Sequence, residues 1–226
     1  MFSEMFYKLW NNGLIQLGIW ETIYMTLISS AVAYLIGLPL GVILNVTDDG
    51  GIHPVKWLNR ILGFVVNFFR SIPFIILMVA MLPVAKLIVG TALGNKAVIV
   101  MLIIAASPYV GRMVESSLKE VDAGIIEAAQ SMGSNNFQIV FKVLLPEAKP
   151  ALITGAVISM VTILGYSAMA ATIGGTGLGQ IAIIYGHQRS NDDITWICVL
   201  LMVLIVQIIQ EVGTRIALKS DKRIRL

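Results

Sequence analysis

Residues 22–46 read TIYMTLISSAVAYLIGLPLGVILNV, a run without a single charged side chain. A bilayer core takes about 20 apolar residues of helix, each rising about 1.5 Å. This stretch is therefore long enough to cross one, and its reading sets lipid as the solvent for the fold. Composition agrees: 57% of the residues are hydrophobic, 13% are charged and the mean hydropathy is +0.85. A water-soluble domain carries about 25% charged residues. Disorder, a disulfide scaffold and a nucleic-acid-binding domain are excluded on the same ground. Cys198, the single cysteine, allows no intrachain disulfide and reads as a small buried hydrophobe.

Outward from residues 22–46, four further apolar runs follow. Ile61 to Ala85 is interrupted only by Arg70. Ala97 to Gly111 is short, so the third span continues past Arg112 and Glu115. The fourth runs from Ala151 to Ile173 and the fifth from Ile194 to Leu218. The expectation is an all-α integral membrane protein, one domain over residues 1–226, with five spans at about 20–46, 58–85, 97–118, 151–173 and 194–218. Five spans put the termini on opposite sides. With the carboxyl terminus inside, eleven lysines and arginines fall on inner segments, among them Lys222, Arg223 and Arg225. Lys8, Lys86, Lys96 and Arg189 fall outside. The positive-inside rule then places the amino terminus out and the carboxyl terminus in the cytoplasm of a multi-pass plasma (inner) membrane protein.

Two features stay open on sequence grounds. Phe2, Met5, Phe6 and Leu9 share a helical face beside Trp10 and form either an interfacial helix or an apolar tail; no basic region precedes a cleavable core, as a signal peptide requires. Helix breakers sit in three spans: Gly37, Pro39 and Gly41, then Pro73, then Pro108 with Gly111. They are read as static kinks rather than hinges.

Residues 119–150 form the longest expected cytoplasmic connection. Ile125, Ala128, Ala129 and Met132 follow the spacing of one helical face. Gly133 is placed to stop that helix in a left-handed turn. A second stripe, Phe137, Val140, Phe141 and Leu144, is expected to end at Pro146, and Pro150 suits the first turn of the fourth span. A short helix with small residues and Glu127 on it can either lie on the membrane surface or dock in another protein's groove.

Glu127-Ala128-Ala129, three residues, Gly133, nine residues, then Val143-Leu144-Leu145-Pro146 resembles the EAA motif of ABC importer permeases. Val143 stands where that family usually has isoleucine. Arg70 to Phe74, Gly165 to Met169 and Gly174 to Gln180 are similar to the methionine-importer branch. The resemblance implies a type I ABC importer permease fold working as a homodimer, with two ATPase subunits and an extracytoplasmic substrate-binding protein. It implies methionine import, of the D or L form, coupled to the ATPase through Glu127, Ala128, Ala129 and Gly133. An importer of another small amino acid, or a secondary transporter without an ATPase, is the alternative.

Along the pathway, Tyr166 and Met169 either line an apolar gate or pack helices. Arg70 is a costly intramembrane charge that either serves the pathway or reaches the inner interface. Gln207, Gln210 and Glu211 share a face of the fifth span, and Glu211 with Arg215 reads as a helix-stabilising pair. No G-x-x-x-x-G-K-[ST] loop is present, so no catalytic or cofactor-binding residue is expected in this chain; ATP and magnesium belong to the partner ATPase. Gly175-Thr176-Gly177-Leu178-Gly179 reads as a flexible outer turn. His53 and His187 fall on opposite faces and share no metal, and an intramembrane protease built on Ser167 lacks a histidine within any span.

Overall fold

The computed structural model describes residues 4–221, all of whose regular elements are helical. Phe2, Lys222, Arg223 and Arg225 lie outside the described residues. In chain order the elements are α1 (Glu4–Asn11), α2 (Leu14–Thr47), α3 (Lys56–Ser71), α4 (Phe74–Ala80), α5 (Leu82–Val89), α6 (Asn95–Lys119), α7 (Ala123–Ser131) and α8 (Asn136–Ile139). A π turn at Val140–Leu144 leads into α9 (Leu145–Glu147), then come α10 (Lys149–Met169), α11 (Leu178–Gln180) and α12 (Asp192–Ser220).

Among the described residues, four helices are long and apolar enough to cross a bilayer: α2, α6, α10 with its short 3₁₀ extension to Ile173, and α12; α3 with α4 make a fifth candidate span as a bent pair. The expected second span, continuous from Ile61 to Ala85, is not continuous. The chain bends by 103° between α3 and α4. Pro73 explains the break: its ring disfavours helix at the preceding residue, and Ile72 is extended at φ −84°, ψ 127°. Pro73 then caps the start of α4. The three prolines therefore differ in how far they disturb the helix. Pro39 and Pro108 both sit inside unbroken helices.

The chain forms two compact units. One comprises the described residues up to Val32 with Pro73–Ala106 and Met160–Gln210. Its core gathers Leu9 and Ile15 with Leu178, Ile181, Ala182, Ile194 and Cys198, so α1 docks by Leu9 instead of fraying. The glycine segment after α10 is not a flexible turn. Gly175, Gly177 and Gly179 are buried, and a Cβ on Gly179 would collide with the Ala168 carbonyl. Gly177 sits at φ +105°, open to glycine at little cost. Thr176 donates its N–H and hydroxyl to Asn95 Oδ1 at 3.0 and 2.8 Å. Asn95 Nδ2 in turn donates to Glu21 Oε1 at 3.0 Å, and the Leu178 N–H reaches Thr22 Oγ1 at 2.9 Å. A glycine-rich composition here marks close approach, not freedom.

The other unit comprises Ala33–Ile72, Ser107–Ser159 and the described residues from Glu211. There Gly37 and Gly41 bring α2 against α6. A Cβ on Gly41 would meet the Gly111 carbonyl oxygen at 2.5 Å. Small residues of this kind let helices touch in lipid, where no hydrophobic force between helices is available. Tyr34 donates its hydroxyl to the Leu152 carbonyl at 2.8 Å, tying α2 to α10. Arg215 pairs with Glu211 one turn away at 2.6 Å on the exposed surface of α12, as the sequence suggests. Hydroxyls within the long helices largely turn back on their own carbonyls, as Thr22, Thr26 and Ser159 do. That is how polar atoms stay satisfied where water is absent.

Candidate functional site

The connection between α6 and α10 is ordered from end to end. Asp122 caps α7, its carboxylate accepting the Gly124 N–H at 2.7 Å. Gly133 closes the helix at φ +80°. Asn135 and Gln138 then form a reciprocal capping box at 2.9 and 3.0 Å, which starts α8. Pro146 does not end the second stripe. The five-residue π turn at Val140–Leu144 carries the chain into α9, and Pro146 occupies its first turn, where a missing N–H costs little.

The π turn also rotates the apolar face. Ile139, Val140 and Leu144 are buried, whereas Phe137 and Phe141 point outward and lie against each other with ring centroids 4.4 Å apart. On α7 the expected face divides as well. Ala129 is buried, but Glu127, Ala128 and Gly133 are exposed, as are Ile125 and Met132. Ile125, Ala128 and Met132 follow the i, i+3, i+7 spacing of one helix side. The connection thus presents a small residue and a carboxylate among uncovered apolar side chains, Met132 at 79% and Phe137 at 70% exposure. Such a surface leaves apolar area uncovered in the single chain.

The pathway candidates belong to different units, Tyr166 and Met169 to one and Arg70 to the other. Tyr166 on α10 stacks on Phe74, the first residue of α4, with centroids 4.1 Å apart and planes 5° from parallel. Beside it Gly165 faces open space, and Met169 is half exposed one turn on. Ser167 is buried and donates its hydroxyl to the Leu164 carbonyl at 2.7 Å, an ordinary helix bond. Arg70 lies exposed on the last turn of α3, beside the break, and no carboxylate reaches it among the described residues. Phe74 closes the Arg70–Phe74 segment that carries part of the family resemblance, but it was not among the pathway candidates; only the fold sets it against Tyr166.

Among the described residues, no three His, Cys, Asp or Glu side chains are placed to share a metal ion. A further cluster sits at the end of α6. Glu115 is buried between Arg112 and Lys119, and Lys119 also pairs with Asp48 at 2.7 Å. The hydrogen bond from Lys119 holds the Asp48 carboxyl below the usual carboxylate range.

Residues 37–225 match the family model of the binding-protein-dependent transport system inner membrane component. The chain belongs to that family. This permease is 49% identical over 213 residues to the "Probable D-methionine transport system permease protein MetI" of Vibrio cholerae, covering 94% of this chain and 95% of that one. It is 44% identical over 216 residues to the methionine import system permease protein MetP of Bacillus subtilis, covering 96% and 95%. Its fold superimposes on a chain of the MetNI methionine ABC transporter in an inward-facing conformation, with a TM-score of 0.92 and 44% identity, over 97% of this permease and 100% of that chain. An amino acid ABC transporter at 17% identity and a TM-score of 0.79 shares the fold.

Proposed function

We propose that this permease is the membrane-spanning subunit of an ATP-driven methionine importer. It works as a homodimer over two ATPase subunits and receives methionine from an extracytoplasmic binding protein. The observation that carries this reading is the exposed face of α7. A short, capped, glycine-terminated helix with Ala128 and Glu127 uncovered occurs in a chain that aligns with methionine permeases over nearly its whole length.

In this account residues 1–226 make a single transmembrane permease domain, with the amino terminus outside and the carboxyl terminus in the cytoplasm. The excess of lysine and arginine on one set of connections supports that orientation. The connection containing α7 then faces the cytoplasm, where ATP and magnesium are bound by the partner subunit. Closure of the two ATPases around ATP draws the paired α7 helices together and rocks the spans to an outward-open state. Hydrolysis and release of products let them return. Tyr166, stacked on Phe74, and Met169 line the gate that methionine crosses. Arg70 stands at the α3–α4 break, where a helix end can be re-aimed during that cycle.

Purification of the tagged permease from its native membrane in mild detergent tests the assembly. Mass spectrometry is expected to find two permease chains with two copies of an ATPase. A permease reproducibly free of any ATPase, yet moving methionine in ATP-free vesicles, would show a secondary transporter instead.

A further inference from the structure

Glu115 is 4% exposed, on a helix that crosses the membrane. A carboxylate so placed is costly unless its oxygens are matched. They are. Arg112 one turn before pairs with Oε2, and Lys119 one turn after lies 2.9 Å from Oε1.

Neither cation serves Glu115 alone. Lys119 reaches Asp48 Oδ2 just beyond α2 at 2.7 Å, and Arg112 donates to Asn67 Oδ1 on α3 at 2.9 Å. Asn59, also on α3, donates to the Leu44 carbonyl of α2 at 2.7 Å. The buried carboxylate thus fixes two cations that reach past α2 to Asp48 and across to α3 at Asn67, while Asn59 ties α3 to α2 independently; α2 and α6 also approach closely at Gly41. Only Glu120, Val121 and Asp122 separate Lys119 from the start of α7, and Val121 is itself buried. A linker this short, anchored in its middle, transmits displacement instead of absorbing it.

We propose that Glu115 is a positioning residue for coupling: its network makes the ends of α2, α3 and α6 one rigid shoulder, so that movement of α7 turns all three helices together. This rests on the reading of α7 as the helix that docks on the ATPase. A packed charge network has discrete arrangements and does not yield gradually, which is what a transmitting element requires.

The test uses the whole complex, permease with ATPase and binding protein, in proteoliposomes, and reads methionine imported per ATP hydrolysed. Glu115→Gln is expected to keep ATP hydrolysis within about twofold of the parent and lower the ratio about tenfold. Asp48→Asn, an isosteric change at a part-exposed residue just beyond α2, lowers the ratio in the same direction and serves if Glu115→Gln fails to assemble. Glu211→Gln removes an exposed pair on α12 and leaves the ratio unchanged. An unchanged ratio in both Glu115→Gln and Asp48→Asn, with Ala128→Trp uncoupled, would overturn the proposal and leave the network as packing only. If Ala128→Trp also kept the parent ratio, the reading of α7 beneath the proposal would fall first.

Discussion

Ala128→Trp abolishes ATP-driven methionine uptake while the permease still folds and inserts. Ala128 is exposed on α7, between Ile125 and Met132, and its Cβ contributes nothing to the interior. An indole there leaves the permease intact but holds the ATPase groove away from the helix backbone. A docking residue at the centre of an apolar patch has effects of about 2 kcal/mol or more, a factor of about 30 in affinity. The matching loss is read by uptake in vesicles and by the amount of ATPase retained on the purified permease. Ala129→Trp separates docking from folding. Ala129 is buried, so a large residue there lowers the stability of the permease itself, seen as earlier thermal unfolding in detergent. Normal coupled uptake by Ala128→Trp would remove α7 from the coupling contact.

Tyr166→Ala opens a leak. Tyr166 and Phe74 stack almost face to face at 4.1 Å, and aromatic pairs contribute about 0.5–1.5 kcal/mol beyond the area they bury. A barrier lowered by the upper end of that range raises passive flux about tenfold. Efflux of methionine from loaded proteoliposomes without ATP is the measurement. Phe74→Ala gives the same direction, because either ring alone leaves the gap open. Ser167→Ala, next in sequence but bonded to its own helix at Leu164, gives none. An ATP-free vesicle as tight with Tyr166→Ala as with the parent would assign the stack to packing.

These two sites differ in how well the sequence shows them. Local information suffices for α7: its periodicity and the stop at Gly133 lie within a few turns, and only the Asp122 cap went unread. The four unbroken long helices were equally legible, since a charge-free run and the length of a bilayer are local properties. The break at Pro73 was visible as a proline but not as a 103° bend, because neighbouring helices decide whether a proline is absorbed. Pro39 and Pro108 were absorbed and Pro73 was not. The π turn at Val140–Leu144 has no period of its own in the sequence, so Phe137 and Phe141 were read as one stripe with Val140 and Leu144, whereas the former pair is exposed and the latter buried. The glycine segment misled for a third reason. Its partners Thr22 and Asn95 lie far away in the chain, and only they turn a loop composition into a packed element. Glu115 has its intrahelical partners in plain view at i−3 and i+4, whereas Asp48 and Asn67 emerge only from the fold.

The most direct measurement is radiolabelled methionine uptake into proteoliposomes holding the permease, its ATPase and its binding protein. The account predicts accumulation against a gradient that requires ATP on the side of the permease that presents α7 and is abolished by Ala128→Trp. Accumulation that proceeds without ATP, or that is driven by an ion gradient alone, would contradict it.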